Sequence, residues 1–257
     1  MILAVDIGNT NIVLGIFEGD KIKCSFRLHT DTQRTTDEYA STIMLLLKNR
    51  GVEITDIKGV IISSVVPQLI YSFTKLATKY MNIEQPMVIA PGVKTGMPIR
   101  YENPKEVGAD RIVNSVAGRE KFGAPVIVVD FGTATTFDVV NAKGEYIGGV
   151  ICPGVKLSAG ILHSKTAKLP EIEIEKVERV VGKNTIHSLQ SGIYYGYLSM
   201  LDGLLERIMT EEFGRCDIAV VATGGLGSVF ARDSKYIGHY DPDLTLTGLR
   251  LIYEKNL

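Results

Sequence analysis

The sequence predicts an α/β protein built from two similar halves. Strands and helices alternate along the chain, and 257 residues suffice for one large domain or two small ones. The strand pattern also restarts near Val126, where residues 126–134 resemble residues 2–10. Each copy is an apolar strand followed by Asp, an apolar residue, Gly and a hydroxyl or amide residue. We therefore expect one copy in each of the halves 1–120 and 121–257.

In the first half, apolar runs and turn residues predict strands and helices in a fixed order. The first helix can be capped by Thr35 or Thr36 and is ended by Gly51, and Pro67 suits the first position of the second helix. The predicted strands are 2–5, 12–17, 21–28, 60–64 and 87–90, and the predicted helices are 36–49, 67–80 and 109–122.

The second half repeats the opening order of strand, strand, strand and helix. The predicted strands are 126–129, 135–141, 145–150 and 218–222, and the predicted helices are 154–163, 186–213 and 246–256. The charged stretch 171–179 is typical of a solvated edge. The longest helix has the apolar content of either a core element or an interface, through Tyr194, Tyr195, Tyr197, Leu198, Leu201 and Leu205.

Composition and charge exclude several classes of protein. The 28 Lys and Arg residues nearly balance the 29 Asp and Glu residues, so there is no basic excess for gripping nucleic acid. No apolar run approaches a membrane span, and no signal peptide precedes Asp6. Cys24, Cys152 and Cys216 lack metal-ligand spacing and predict reduced thiols. We expect a cytoplasmic protein with neither nucleic acid nor membrane as a partner.

The repeated motif predicts a site for a nucleotide triphosphate. A strand delivers each aspartate, Asp6 or Asp130, to the edge of a sheet, and the glycine after it lets backbone N–H groups approach a ligand. Such a turn binds anions. The carboxylate can hold a cation that lies against the phosphates. Short polar side chains follow in both copies, namely Asn9, Thr10 and Asn11 in the first and Thr133, Thr135 and Thr136 in the second.

Other glycine-rich segments carry weaker signals. Thr223-Gly224-Gly225 follows a third apolar strand and adds a possible nucleotide contact. Residues 149–154 have the glycine gap of a P-loop but lack the Lys-Ser/Thr that its mechanism needs. Gly225 and Gly227 begin a dinucleotide fingerprint that ends in Phe230 rather than glycine.

At these residues the chain resembles the superfamily of acetate kinase, sugar kinases, Hsp70 and actin. Residues 6–11 are similar to its first phosphate hairpin, residues 130–135 to its second, and residues 223–225 to its adenosine motif. The resemblance implies two similar ribonuclease H-like (actin-like ATPase) domains, each a mixed five-stranded sheet with helices.

Within that superfamily the chain resembles the type III pantothenate kinases over essentially its whole length. The order and spacing of five segments carry the resemblance, and none departs from the family's pattern. The segments are Asp6-Ile7-Gly8-Asn9-Thr10-Asn11, Gly108-Ala109-Asp110-Arg111, Asp130-Phe131-Gly132-Thr133-Ala134-Thr135-Thr136, Gly148-Gly149 with Pro153-Gly154, and Thr166-Ala167-Lys168-Leu169-Pro170.

This resemblance implies transfer of the γ-phosphate of ATP to pantothenate, the first step toward coenzyme A, by a homodimer whose substrate pocket lies near the subunit interface. It implies Asp110 as general base, Asp130 as ligand of a monovalent cation (K⁺ or NH₄⁺), and Asp6 near the Mg²⁺ that accompanies ATP, directly or through water. The implied ATP-binding residues are Asp6, Ile7, Gly8, Asn9, Thr10, Asn11, Ile12, Val13 and Thr133, and the implied pantothenate-binding residues are Tyr101, Gly108, Ala109, Asp110, Arg111 and Thr185.

Several alternatives stay open on the residues alone. Asp110 lies at a predicted helix start beside Arg111, and both the helix dipole and the cation favour its charged form. Arg111 can neutralise the pantothenate carboxylate or serve as a structural ion-pair partner. Thr185 can cap the long helix, and Tyr101 can anchor a loop. Two other functions also remain, an ATP-binding regulator of this fold without kinase activity and a kinase for another small alcohol.

Overall fold

The computed structural model describes residues 1–214 and 218–257 of the chain. The chain divides into two compact units. The first comprises Met1–Ala117 together with Asp243–Leu257, and the second comprises Gly118–Pro242. Each unit contains one five-stranded sheet with helices packed against it.

The sheet of the first unit is mixed. Its strands are β1 (Ile2–Ile7), β2 (Asn11–Glu18), β3 (Lys21–His29), β4 (Gly59–Ser64) and β5 (Met87–Val88), in the spatial order β3-β2-β1-β4-β5. β1 pairs antiparallel with β2 and parallel with β4. The central strand is therefore hydrogen-bonded on both sides, which fixes the position of Asp6 near its carboxyl end.

The sheet of the second unit has the same architecture. Its strands are β6 (Val126–Phe131), β7 (Ala134–Val140), β8 (Tyr146–Pro153), β9 (Ala219–Gly224) and β10 (His239–Tyr240), in the order β10-β9-β6-β7-β8. β6 pairs antiparallel with β7 and parallel with β9. The two sheets thus correspond strand for strand, which confirms the predicted pair of mixed five-stranded sheets.

Seven α-helices complete the described part of the chain. They are α1 (Thr36–Lys48), α2 (Pro67–Met81), α3 (Ala109–Phe122), α4 (Val155–Ser164), α5 (Thr185–Phe213), α6 (Gly227–Ala231) and α7 (Leu244–Glu254). The N-cap of α1 is Thr35, whose hydroxyl accepts from the Glu38 backbone N–H while the Glu38 carboxylate accepts from the Thr35 N–H. This capping box explains why α1 begins at Thr36.

The tail helix belongs to the first unit, whereas the sequence prediction assigned residues 243–257 to the second half. α7 packs on β1, β2 and β4. Two glycines leave room for it, because a Cβ at Gly15 would lie 2.8 Å from Leu246 Cδ1 and a Cβ at Gly59 would lie 2.0 Å from Tyr253 Oη. The structural division also falls after Ala117 rather than after residue 120.

Each sheet buries an apolar face of its own. In the first unit, the side chains of Leu3, Val5 and Ile7 pack with α1 and α2. In the second unit, Val129 and Phe137 pack with α5 through Tyr194, Tyr197, Leu201 and Leu205. The apolar positions of α5 named in the sequence analysis therefore include core residues.

Most predicted strands and helices are present within a few residues of their expected ends. The prediction missed α6, β10 and the 3-10 turns Ile54–Asp56 and Pro104–Glu106. These elements span only two to five residues, which is too short for a period of hydrophobic residues to show. Cys24 and Cys152 are free thiols, and Cys216 lies outside the described residues.

Candidate active site

The first predicted phosphate hairpin joins β1 to β2. Ile7 pairs with Ile12, and the Gly8 N–H donates to the Asn11 carbonyl at 3.0 Å. From outside the hairpin, the Thr30 hydroxyl donates to the Gly8 carbonyl at 2.7 Å and the Thr30 N–H donates to the Thr10 carbonyl at 3.0 Å. The end of β3 therefore fixes the shape of this turn.

The second hairpin, between β6 and β7, is built in the same way and is one residue shorter. Phe131 pairs with Thr135, and the Gly132 N–H donates to the Ala134 carbonyl at 3.0 Å. Here the Gly154 N–H, just beyond β8, donates to the Thr133 carbonyl at 3.0 Å, as Thr30 does in the first hairpin. A Cβ at Gly154 would lie 2.2 Å from the Thr133 carbonyl oxygen, so no other residue fits this close approach.

The predicted ATP-binding residues divide by exposure. Ile7 and Ile12 are buried in the core of the first unit, so only their backbone can face a ligand. Gly8 and Val13 are partly buried. The tips of both hairpins are open to solvent, where Asn9, Thr10, Asn11 and Thr133 are exposed.

Asp6 and Asp130 occupy equivalent positions, each one residue before the end of its strand. Asp6 pairs with Val13 of β2 and Ser63 of β4, and Asp130 pairs with Thr136 of β7 and Thr223 of β9. Both carboxylates are partly exposed. Each unit thus presents one carboxylate beside a turn whose backbone is accessible.

The Thr223-Gly224-Gly225 motif lies at the end of β9, next to Asp130. Gly224 has a φ of +84°, and a Cβ there would lie 2.5 Å from Asp130 Oδ1. Glycine at this position therefore allows the left-handed backbone and avoids a clash with the Asp130 carboxylate and the Phe131 carbonyl. The backbone conformation and the close approach of Asp130 together explain why residue 224 is glycine.

Two threonines that the sequence offered as ligand-facing side chains have structural partners instead. Thr135 is fully buried, and its hydroxyl lies 2.6 Å from the Tyr197 phenol oxygen. The Thr136 hydroxyl donates to Asp138 at 3.0 Å, and Tyr146 donates to the other Asp138 oxygen at 3.1 Å. The expectation for Thr135 was wrong because alternate residues of a strand point to opposite faces, and Thr135 points to the core.

The candidate base Asp110 is the second residue of α3 and is partly buried. Burial raises the pKa of its carboxyl above the ordinary value of 3.8, and this outweighs the lowering by the Arg111 N–H, which donates to Asp110 Oδ1 at 2.9 Å, and by the Arg111 charge. The sequence argument considered only the dipole and the neighbouring cation, so it missed the larger effect of desolvation. A raised pKa makes a carboxylate a better proton acceptor.

Residues around Asp110 shape its conformation. A Cβ at Gly108 would lie 2.6 Å from Asp110 Oδ1, so the glycine lets the carboxylate fold back over the start of the helix. Ala109 is the first residue of α3, and Arg111 is buried. The predicted segment Gly108-Ala109-Asp110-Arg111 is therefore one continuous helix start.

Tyr101 and Thr185 lie elsewhere in the chain. Tyr101 lies in the irregular connection before α3 and is 37% exposed, which leaves its ring accessible. Thr185 is the exposed first residue of α5 and does not cap it, because Asn184 Oδ1 accepts from the His187 N–H at 2.9 Å. The capping explanation for Thr185 is thereby removed. Tyr101 belongs to the first unit and Thr185 to the second.

The carboxylate oxygens of the candidate site suit hard cations that take their other ligands from phosphate groups and water. Within residues 1–214 and 218–257, no three His, Cys, Asp or Glu side chains cluster to hold a metal by themselves. Mg²⁺ commonly binds one or two carboxylates together with substrate phosphates and waters, and Asp6 offers one such carboxylate. Asp130, which is also partly exposed, offers a second carboxylate beside the other hairpin.

Several residues that support the hairpins were not predicted from the sequence. Thr30 and Tyr197 act through hydrogen bonds between segments that are distant in the chain, so no local signal marked them, and Asp138 bonds to Thr136 two residues away. Gly154 was noted as part of a family segment and of a failed P-loop pattern, although its position one residue after a strand was a usable sign of a close backbone approach.

Comparisons with known proteins agree with this architecture. Residues 2–207 match the family model described as type III pantothenate kinase. A type III pantothenate kinase of Moorella thermoacetica is 50% identical over 256 residues, with 100% of both chains covered.

Solved structures support the fold. A proposed Baf family transcriptional activator from Campylobacter jejuni matches with a TM-score of 0.58 at 19% identity, over 99% of this chain and 98% of that one. A proposed N-acetylglucosamine kinase from Porphyromonas gingivalis matches with a TM-score of 0.51 at 14% identity, over 100% and 99%. At these identities the likeness shows a shared fold alone, so the first does not favour a regulatory role. From the family model and the full-length relative together, the chain belongs to the type III pantothenate kinase family.

Proposed function

We propose that this protein transfers the γ-phosphoryl group of ATP to the terminal hydroxyl of pantothenate, yielding ADP and 4′-phosphopantothenate in the first step of coenzyme A synthesis. One observation carries the proposal. A chain that matches type III pantothenate kinases over its whole length contains two equivalent hairpins, each with an aspartate beside an accessible turn. A pure nucleotide binder would not need the candidate base Asp110.

The two hairpins hold the phosphates of ATP. Asn9, Thr10, Asn11 and Thr133 at the exposed tips can donate from their side chains, while Ile7, Gly8 and Ile12 hold the shape of the first turn. Asp6 and Val13 are the remaining residues of the proposed ATP-binding site. Phosphoryl transfer depends mostly on positioning and on neutralising charge, which hairpins with fixed backbone geometry are suited to provide.

Asp110 accepts the proton of the attacking hydroxyl. The oxygen of the terminal alcohol forms a bond to the γ-phosphorus as the bond from that phosphorus to the bridging oxygen breaks, and ADP leaves. The proton of the alcohol passes to the Asp110 carboxylate. Burial supports this role, because the raised pKa of Asp110 strengthens it as a base.

Two aspartates are the proposed cation ligands. Asp6 would hold Mg²⁺, directly or through water, and Asp130 would hold a monovalent cation, K⁺ or NH₄⁺. Bound cations of this kind lower the electrostatic cost of bringing phosphate oxygens together. The partial exposure of Asp6 and Asp130, each beside its own hairpin, supports these assignments.

Pantothenate binds at Tyr101, Gly108, Ala109, Asp110, Arg111 and Thr185. The helix start at Gly108 presents Asp110 to the substrate hydroxyl. Arg111 neutralises the carboxylate of pantothenate or orients Asp110. The exposure of Thr185, which has no capping role, supports its use in binding.

The protein works as a homodimer. The second unit exposes large apolar side chains on β8, on α4, in the segment before α5 and at the start of α5, and exposed apolar side chains of this kind are candidates for an interface. These residues are Ile151, Leu157, Ile161, Leu162, Val180, Val181 and Ile186. A charge introduced by Ile161→Glu should convert a dimer into a monomer in light scattering. A wild-type monomer would refute the dimer.

The proposed compartment is the cytoplasm, where ATP is available and thiols stay reduced. None of the helices in the described part of the chain is both long and apolar enough to span a membrane.

Turnover across a panel of small alcohols tests the substrate assignment. Pantothenate should be phosphorylated far faster than sugars, glycerol or simple hydroxy acids, and mass spectrometry should place the new phosphate on its terminal hydroxyl. Preference for another alcohol would refute pantothenate while leaving a kinase.

A further inference from the structure

Ser63 carries a polar atom that the folded chain leaves unsatisfied. Its side chain is fully buried, and its hydroxyl has no hydrogen-bond partner among the residues that the structure describes. Burying a hydroxyl without a partner destabilises a fold, and alanine would avoid that cost. We therefore ask whether the Ser63 hydroxyl gains a hydrogen-bond partner when a ligand binds.

Ser63 lies next to an aspartate in the sheet. Ser63 is the Cα partner of Asp6 across the parallel pair of β4 and β1, and such neighbouring strands lie about 4.8 Å apart. Leu3, Val5, Ile7 and Ile62 point to the core, so Asp6 and Ser63 share the opposite face of the sheet. Next to Ser63 on this face lie Ile61 of β4 and Asp6 of β1, and of these two it is Asp6 that has a polar side chain.

The position of Ser63 is rigid. The Val65 N–H donates to the Ile7 carbonyl at 3.0 Å, which ties the end of β4 to the end of β1. The Ser64 hydroxyl accepts from the Val66 N–H at 3.0 Å, which fixes the next turn. These bonds hold the backbone of Ser63 next to that of Asp6, and rotation about one side-chain bond of Ser63 can turn its hydroxyl toward the carboxylate.

The second unit repeats this arrangement. Thr223 of β9 is the Cα partner of Asp130 across the parallel pair of β9 and β6, and it is also buried. In both sheets a hydroxyl residue thus lies beside the aspartate on the neighbouring parallel strand. A packing requirement alone would be met by alanine or valine at either position.

We propose that Ser63 is a positioning residue for Asp6, whose hydroxyl donates to the Asp6 carboxylate when Mg²⁺ and ATP are bound. The hydrogen bond would hold one carboxylate oxygen so that the other faces the ion. Hydrogen bonds to ligand carboxylates commonly tune metal sites in this way. The inference rests on the proposed role of Asp6 in binding Mg²⁺ with ATP.

The experiment compares Ser63→Ala with Ile61→Val, two small deletions on the same face of the same strand. Titration calorimetry with a non-hydrolysable ATP analogue, with and without Mg²⁺, measures binding without turnover. Ser63→Ala should weaken Mg²⁺-dependent binding by about tenfold or more, as loss of outer-shell partners typically does. Its ligand-free melting temperature should equal or exceed that of the wild type, because an unsatisfied hydroxyl is removed.

Ile61→Val should show the reverse pattern, a lower melting temperature with unchanged binding, because it leaves a cavity and keeps the hydroxyl. If Ser63→Ala does not fold, Ser63→Cys keeps the volume with a weak donor and should show the same loss of binding. In turnover, the KM for ATP with Mg²⁺ should rise while the KM for pantothenate stays constant.

The proposal would be overturned if the folded Ser63→Ala variant bound the analogue as tightly as the wild type. It would also be overturned if the wild-type protein bound the analogue equally well without Mg²⁺. These readouts do not require pantothenate. Failure of the wild type to phosphorylate pantothenate would therefore refute the proposed function and leave the Ser63 result to be judged separately.

Discussion

The phenol oxygen of Tyr197 lies 2.6 Å from the hydroxyl of Thr135, deep in the second unit. The same phenol donates to the Pro153 carbonyl at 2.9 Å. Thr135 is the second residue of β7, in the second hairpin. Pro153 ends β8 just before Gly154, whose N–H donates to the Thr133 carbonyl. One side chain of α5 thus joins both segments that shape this turn.

Tyr197→Phe should lower the free energy of unfolding by about 1–2 kcal/mol, because it leaves the buried Thr135 hydroxyl without its partner. The KM for ATP should rise as the second hairpin loosens, while the oligomeric state stays unchanged. Chemical denaturation and steady-state kinetics measure the two effects. Tyr195→Phe is the control, since Tyr195 donates to Val177 rather than to the hairpin. Equal KM values for ATP in both variants would contradict the account.

Asp110→Asn should reduce turnover by roughly 10²–10⁴-fold, as expected for loss of a general base. The asparagine oxygen can still accept from the Arg111 N–H, so the start of α3 should keep its structure. Pantothenate binding, measured by calorimetry, should change much less than turnover. A variant that turns over at nearly the wild-type rate would remove Asp110 from the role of base.

The same substitution should stabilise the fold in a pH-dependent way. The pKa of Asp110 is raised in the folded protein, so its favourable contribution is complete below the unfolded-state pKa near 3.8 and is lost as pH rises through the folded-state pKa. Asp110→Asn should therefore melt higher than the wild type at neutral pH, and this gain should disappear at low pH. Melting temperatures of both proteins across that range provide the measurement. A less stable variant at neutral pH would show that burial does not dominate at Asp110.

Replacing K⁺ and NH₄⁺ by Na⁺ should abolish most of the activity if Asp130 binds a monovalent cation. Gly224→Ala should weaken the response to K⁺, because the new Cβ would lie 2.5 Å from Asp130 Oδ1. Activity titrations with each chloride salt at constant ionic strength measure both effects. Full activity in Na⁺ alone would argue against a monovalent-cation site at Asp130.

The sequence predicted the fold well where the signal was local. Each hairpin is encoded by an apolar run, an aspartate and a glycine within a few residues, so both β1–β2 and β6–β7 appear where expected. α7 was also predicted as a helix, but its packing on β1 and β4 depends on space left by Gly15 and Gly59. Such space follows from packing between distant segments, which the order of residues along the chain does not reveal.

The candidate site was likewise predicted where its signals are local in the sequence. Asp6, Asp110 and Asp130 were identified from motifs, and the structure gives each a definite place in its own unit. The raised pKa of Asp110 and the unsatisfied hydroxyl of Ser63 could not be predicted, because both depend on which distant residues exclude water. The sequence therefore predicts which residues form the candidate site, whereas their burial and its effect on pKa follow only from the fold.

The most direct test of the central claim is coupled ADP release with ATP, Mg²⁺ and K⁺, in the presence and absence of pantothenate. The account predicts ADP release that depends on pantothenate and matches the 4′-phosphopantothenate formed. Tight binding of ATP without release of ADP when pantothenate is added would contradict it.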